Sequence, residues 1–176
     1  MEFKGASAAV QAAAAILLLG PAARAETSTD FTYSAPQTGY LTLTAAAFQP
    51  ESNGYSYVNN GGFLHPQVNG QACFDAPIQL PQGATVNVAK LFYSLVDDQT
   101  FTLTILQNRL RDAVQTQPLA KRPPSTAGNY ASVEYRTPGL VINNGGYSYF
   151  ARVCLSEYSA ILFDLRLTFT YTSAGD

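Results

Sequence analysis

Near the C-terminal end the chain alternates residue by residue. Ile161, Phe163, Leu165, Leu167, Phe169 and Tyr171 are interleaved with Leu162, Asp164, Arg166, Thr168, Thr170 and Thr172. A period of two means a strand with one face on a core. Just upstream, Tyr147, Tyr149, Ala151, Val153 and Leu155 alternate with Ser148, Phe150, Arg152 and Cys154. Only Ser156 to Ser159 separates the two runs, which predicts an antiparallel hairpin. A second hairpin is predicted from residues 85–95 and 101–105, joined by Val96-Asp97-Asp98-Gln99. In its first arm the apolar phase shifts between Val86/Val88 and Leu91/Tyr93/Leu95, which predicts a bulge near Ala89 or Lys90. Weaker strands are predicted at residues 31–34, 40–48, 55–58, 72–80, 130–136 and 140–142. Residues 112–129, with Pro118, Pro123 and Pro124, read as a long loop.

Eight to ten short strands and no mature helix predict an all-β chain. Pro36, Pro50, Pro66, Pro81 and Pro138 punctuate them. The expected architecture is a single antiparallel β-sandwich of jelly-roll or immunoglobulin-like type. The Cys-Trp-Cys signature of true immunoglobulin domains is missing, because the chain has no Trp.

The N-terminal 25 residues read differently. Lys4 supplies a positive charge, residues 8–20 are apolar around Ile16-Leu17-Leu18-Leu19, and Pro21 precedes Ala23-Arg24-Ala25. This is the pattern of a secretory signal peptide cleaved after Ala25. The apolar run is too short to span a bilayer, which takes about 20 residues. The expectation is therefore a removable segment, 1–25, and one domain, 26–176, secreted to a periplasmic or extracellular location with no later membrane span. The composition excludes other classes. A 47% hydrophobic fraction rules out disorder, and a net charge of −2 gives no footprint for nucleic acid.

Candidate chemistry is sparse. Cys73 and Cys154 are the only cysteines, and an even count in an exported chain predicts a disulfide. His65 is the sole imidazole, there is no Gly-x-Ser-x-Gly elbow, and a zinc site of several His or free Cys is excluded by counting. Asp97 and Asp98, with Asp75 and Asp164, are weak calcium candidates without EF-hand spacing. Asp in a tight turn is expected without any metal. Arg109, Arg111, Lys121 and Arg122, interrupted by Asp112, read as a solvated loop face. No catalytic residue and no cofactor is expected.

The aromatic residues are more suggestive. Tyr55 and Tyr57 precede Asn59-Asn60-Gly61-Gly62, while Asn143-Asn144-Gly145-Gly146 precedes Tyr147 and Tyr149. Asn-Gly supplies the positive φ of tight turns, so two such turns beside Tyr-rich strands are also expected from turn chemistry alone. As a functional surface, these four tyrosines and asparagines 59, 60, 143 and 144 would form an exposed flat patch for copies of the chain or for a surface protein or glycan.

Two further motifs are Ala45-Ala46-Ala47-Phe48-Gln49-Pro50 and Phe74-Asp75-Ala76-Pro77-Ile78-Gln79-Leu80-Pro81-Gln82-Gly83-Ala84-Thr85-Val86, the latter entering a Tyr-containing strand. With them the chain resembles a loose group of secreted bacterial all-β proteins of unknown function. The resemblance implies a sandwich fold and export, and no activity. The leading functional expectation is an exported, non-enzymatic structural or self-assembling protein. A carbohydrate-binding module and a fimbria-like subunit are the alternatives.

Overall fold

The structure, a computed structural model, describes residues 32–68, 70–96, 99–121 and 128–173. The expected signal peptide, Asp97, Asp98 and Arg122 lie outside them. Among the described residues there are eleven strands. They are β1 (Thr32–Thr44), β2 (Gln49–Pro50), β3 (Tyr57–Asn59), β4 (Leu64–Pro66), β5 (Ala72–Ile78), β6 (Thr85–Leu95), β7 (Phe101–Arg109), β8 (Gln115–Lys121), β9 (Gly128–Val141), β10 (Tyr147–Leu155) and β11 (Ile161–Ser173). One 3-10 turn, Ala45–Ala47, follows β1. No helix among these residues is long and apolar enough to cross a membrane.

The strands form two antiparallel sheets packed as a sandwich. The first has the order β3-β4-β11-β6-β9, with β1 also paired to β11; the second runs β2-β5-β10-β7-β8. Setting aside the short β2, β3 and β4, the remaining eight pair first with last: β1 with β11, β5 with β10, β6 with β9, β7 with β8. That nested pairing is a long folded ribbon rolled into two sheets, which is a jelly roll and not an immunoglobulin arrangement.

Neither predicted hairpin forms. β10 and β11 belong to different sheets, as do β6 and β7. Alternation reports that a strand buries one face, and leaves open which strand it pairs with. The chain crosses between sheets where buried residues become consecutive, at Tyr93-Ser94-Leu95 and at Val153-Cys154-Leu155. The two crossovers then brace one another. The Ser156 N–H donates to Thr100 O at 3.1 Å, and the Thr100 N–H donates to Ser156 Oγ at 2.9 Å. The amide of Gln99, buried at 3% exposure, donates to the Ser159 hydroxyl.

Other differences have local causes. The count exceeds the expected eight to ten because several very short strands form and β8 lies in the stretch expected to be a loop. β8 is polar and contains Pro118, which a sheet edge tolerates. Between the pairs Ile105↔Leu119 and Gln107↔Thr116 it carries one residue more than β7, so Gln117 and Pro118 face Leu106 in a bulge. The β6 bulge falls at Asn87, skipped between Val86↔Phe169 and Val88↔Thr168, and not at Ala89 or Lys90. The two strands expected at residues 130–136 and 140–142 are one strand, β9, which ends at Val141. On β11 the buried residues are Leu162, Leu165, Leu167 and Phe169, so Phe163 breaks the expected alternation.

The core between the sheets holds Phe48, Phe74, Phe101, Leu91, Leu103, Ile105, Leu155, Leu162 and Leu165, each essentially solvent-free. Burial of such side chains stabilises by about 1.5–3 kcal/mol each. Gly39 is required by packing: a Cβ there would sit 2.4 Å from the Phe169 ring. Cys73 and Cys154 are directly opposed on β5 and β10 and form the expected disulfide.

Candidate functional site

One end of the second sheet, where β5 and β7 finish and β10 begins, carries three interlocked loops. The Asn143-Asn144-Gly145-Gly146 turn is their hub. Its own closure comes from the N–H groups of Gly146 and Tyr147, which donate to Asn143 O at 3.2 and 3.0 Å. Toward the β5–β6 loop, Asn144 donates its backbone N–H to Gln82 Oε1 at 2.7 Å and its Nδ2 to Leu80 O at 2.9 Å. Toward the β7–β8 loop, Gly146 O accepts the Leu110 N–H at 2.9 Å. From below, the Tyr149 hydroxyl accepts the Asn143 N–H at 2.9 Å. Each bond spends a polar group on holding the turn, so the rim is built before any ligand arrives.

The β7–β8 loop is fastened in the same way. Arg109 Nε donates to Asp112 Oδ1 at 2.8 Å, and the same oxygen accepts the Val114 N–H at 3.3 Å. The hydrogen bond from Arg109 holds the Asp112 carboxyl below the ordinary aspartate range, and Arg109 is raised in return.

Between these loops lies a groove of about 790 Å³ lined by Pro77, Ile78, Gln79, Leu80, Pro81, Leu110, Asn144, Tyr147, Ser148 and Tyr149. It continues past Leu110 and Tyr147 into a hollow of about 560 Å³ bounded by Arg109, Arg111, Asn143, Gly145 and Gly146. The lining is mostly proline, leucine and tyrosine surface, with a few amide and hydroxyl groups. A site of this kind takes a ligand having both apolar faces and hydrogen-bonding edges.

The tyrosines expected to form one flat patch do not come together. Tyr147 is half-buried in the groove wall, 6.4 Å from the Tyr149 ring, and Tyr149 is buried at 5% exposure. Tyr55 and Tyr57 instead pack on Phe74, with ring centroids at 6.4 and 5.5 Å. Phe74 pairs with Val153 and Ile78 with Tyr149, four residues further along β5, so the two pairs of tyrosines are separated by about 13 Å of strand. Asn59 and Asn60 serve their own turn. Asn59 donates Nδ2 to Ala45 O at 2.8 Å and accepts the Gly61 N–H at 3.0 Å, while Asn60 Oδ1 accepts the N–H groups of Gly62 and Phe63 at 3.0 Å each.

The remaining candidates are dispersed. His65 is half-buried, stacked with Phe63 at 5.9 Å, and its Nδ1 lies 3.1 Å from Pro66 O. Asp75 receives both Arg152 Nε and Nη2 at 2.8 Å, and Arg152 Nη1 also reaches Glu51 at 2.6 Å. Asp164 lies in the other sheet. Among the described residues no group of three or more His, Cys, Asp or Glu is placed to hold a metal. Sequence reading missed Pro77, Leu80 and Leu110 as groove residues. Pro77 is on β5, Leu80 follows it in the β5–β6 loop and Leu110 is in the β7–β8 loop, so only the tertiary structure joins Leu110 and Tyr147 to the other two.

No protein-family model matches the chain, and no curated protein sequence matches it. Solved structures do. The chain is similar to the C-terminal CBM6 of LamC, a marine laminarinase from Zobellia galactanivorans, with a TM-score of 0.51 and 14% identity over 74% of this chain and 99% of that one. It is also similar to the CBM22-1–GH10 modules of xylanase 10B from Clostridium thermocellum, with a TM-score of 0.50 and 10% identity over 76% of this chain and 28% of that one. At such identities the likeness shows a shared β-sandwich fold.

Proposed function

We propose that the groove beside the Asn143–Gly146 turn binds carbohydrate and that the protein is a non-catalytic, exported carbohydrate-binding β-sandwich. The observation that carries this reading is the groove itself. Its apolar wall of Pro77, Leu80, Leu110 and Tyr147 suits the C–H face of a sugar ring, and Gln79, Asn144 and Ser148 suit its hydroxyls. Its volume falls within the roughly 300–1,000 Å³ common for small-ligand sites. Among the described residues no Asp or Glu lines the groove or the adjoining hollow, so the two carboxylates that glycoside hydrolysis needs are not gathered there by them. The two solved structures above carry carbohydrate-binding modules, one in a complex with xylohexaose, which supports the same reading. The disulfide fits an oxidising compartment, in line with the signal-like segment 1–25. Self-assembly rested on a flat tyrosine patch, and the concave placement of Tyr147 favours a ligand instead.

The test is affinity electrophoresis of the purified protein through gels containing laminarin, xylan or mannan, followed by calorimetry with hexasaccharides of the retarding polymer. Retardation by at least one polymer is expected, and Tyr147→Ala should weaken binding about tenfold or more while the urea midpoint stays close to wild type. Unretarded migration in all three gels, or full affinity in Tyr147→Ala, overturns the proposal.

A further inference from the structure

The first sheet carries a second concavity, on its outer face and away from the groove, built by two β-bulges on either side of β6. On β11, Leu162 pairs with Tyr93 and Asp164 with Phe92, leaving Phe163 as the extra residue. Leu162 and Leu165 point into the core, so Phe163 and Asp164 are adjacent residues on the solvent side. On β9, Ala131 pairs with Tyr93 and Gly128 with Leu95, so Asn129 and Tyr130 together face Ser94. Tyr130 has φ of 56°, a left-handed conformation uncommon for a bulky residue, and is 84% exposed. Bulges of this kind re-aim side chains. Here they bring the Tyr130 and Phe163 rings together from strands on opposite sides of β6, at 5.1 Å and 12° between planes.

A hollow of about 280 Å³ lies beside this stack, lined by Gly62, Phe92, Tyr130, Ala131, Phe163 and Asp164. Three of its walls are aromatic, and among the described residues its only charged lining group is the Asp164 carboxylate. Two cations already face one of these rings: Lys90 Nζ lies 5.5 Å from the centre of the Phe92 ring, and Arg166 approaches the same ring. Lys90 pairs with Glu134 at 2.9 Å, and the Arg166 guanidinium lies 5.6 Å from the Tyr40 ring and 5.9 Å from the Phe92 ring. Lys90 and Arg166 are paired in the next row of the sheet, so both meet Phe92 from that row, and neither lines the hollow. Aromatic faces present negative potential, and a carboxylate adds a full negative charge, so the complementary occupant is a cation with an apolar skin.

We propose that this hollow is a binding site for a methylated ammonium group, held against Tyr130 and Phe163 with Asp164 as its counter-charge. The chemistry is that of a choline-type head, carried on a small molecule or displayed on a lipid.

The test uses tetramethylammonium and choline as probes, followed by amide chemical-shift titration of the purified protein, with 3,3-dimethyl-1-butanol as the uncharged isostere of choline. Saturable shifts at Ala131, Phe163 and Asp164 are expected for both cations, with affinity at least about tenfold above the neutral isostere. Tyr130→Ala should weaken choline binding about tenfold, Asp164→Asn at least threefold, and Tyr130→Phe little, because it keeps the ring face. Phosphatidylcholine vesicles separate the two sources: sedimentation with vesicles in addition to choline binding assigns a lipid head, and choline binding without it assigns a free solute. Equal affinity for the neutral isostere, no saturable shift, or full affinity in Tyr130→Ala overturns the proposal. Carbohydrate binding by Tyr130→Ala reports on the groove separately.

Discussion

Removing the Cys73–Cys154 bridge should destabilise the protein by an amount that the chain itself dictates. The bridge spans 81 positions. In the chain-entropy account, a cross-link of that span withholds about 15 cal/mol/K from the unfolded ensemble, or roughly 4.5 kcal/mol at 25 °C. The native state loses little by comparison, because β5 and β10 remain paired by a seven-residue register from Ala72↔Leu155 to Ile78↔Tyr149. With a urea m-value of about 2 kcal/mol/M, the double variant Cys73→Ala/Cys154→Ala should unfold at a midpoint roughly 2 M lower. The m-value should rise, since the unlinked chain exposes more surface when unfolded. The chain contains no Trp and 11 Tyr, so tyrosine fluorescence and circular dichroism are the natural probes. Wild type unfolded in reductant should reproduce the variant's midpoint. A loss under about 1 kcal/mol, or a lower midpoint with a reduced m-value, would refute an effect acting through the unfolded chain.

Two further outcomes concern titratable groups. The Tyr135 hydroxyl is buried without a hydrogen-bond partner, and that burial, with a smaller contribution from Tyr93, raises its phenol well above the ordinary range. Tyr135→Phe should therefore stabilise the fold, by about 1 kcal/mol in urea unfolding, and a clear destabilisation would show that the hydroxyl is satisfied in solution. Asp112 is depressed by Arg109, so their pairing is fully present above the ordinary aspartate value of 3.8 and is lost as pH falls through the lower folded value. Carboxyl-detected NMR should place the Asp112 midpoint below 3.8 and return it there in Arg109→Ala; an unshifted wild-type midpoint sinks the argument.

Period-two alternation at residues 147–155 and 161–172 was enough to read strands and a sandwich, because a strand's two faces alternate and one face must be buried. The same pattern could not say which strands pair. Alternation is equally satisfied by a hairpin and by a crossover between sheets, so it predicts β10 and β11 as neighbours although they lie in different sheets. The cysteine count was legible because only one pairing exists. Bulges were poorly legible: Phe163 continues the apolar period in letters, yet one extra residue turns it to solvent beside Asp164. Of the groove, Tyr147, Asn143 and Asn144 stood out locally. Leu80 and Gln82, bonded to Asn144, and Leu110, bonded to Gly146, are brought in from at least 36 positions away by hydrogen bonds that no local pattern encodes. The matching Asn-Asn-Gly-Gly turns were misleading, since each solves its own backbone problem at a different end of the sandwich.

The pairing of β1 with β11 also sets an order of events. β11 is the strand to which β1, β4 and β6 all hydrogen-bond, so the first sheet has no centre until β11 has been made. During synthesis β1, β4 and the β6–β9 pair emerge with no strand to join them into one sheet, and contacts so distant along the chain are slow to find. The first sheet therefore stays open until β11 arrives. A chain cut short before Ile161 would leave an aggregation-prone set of strands in place of a smaller version of the fold.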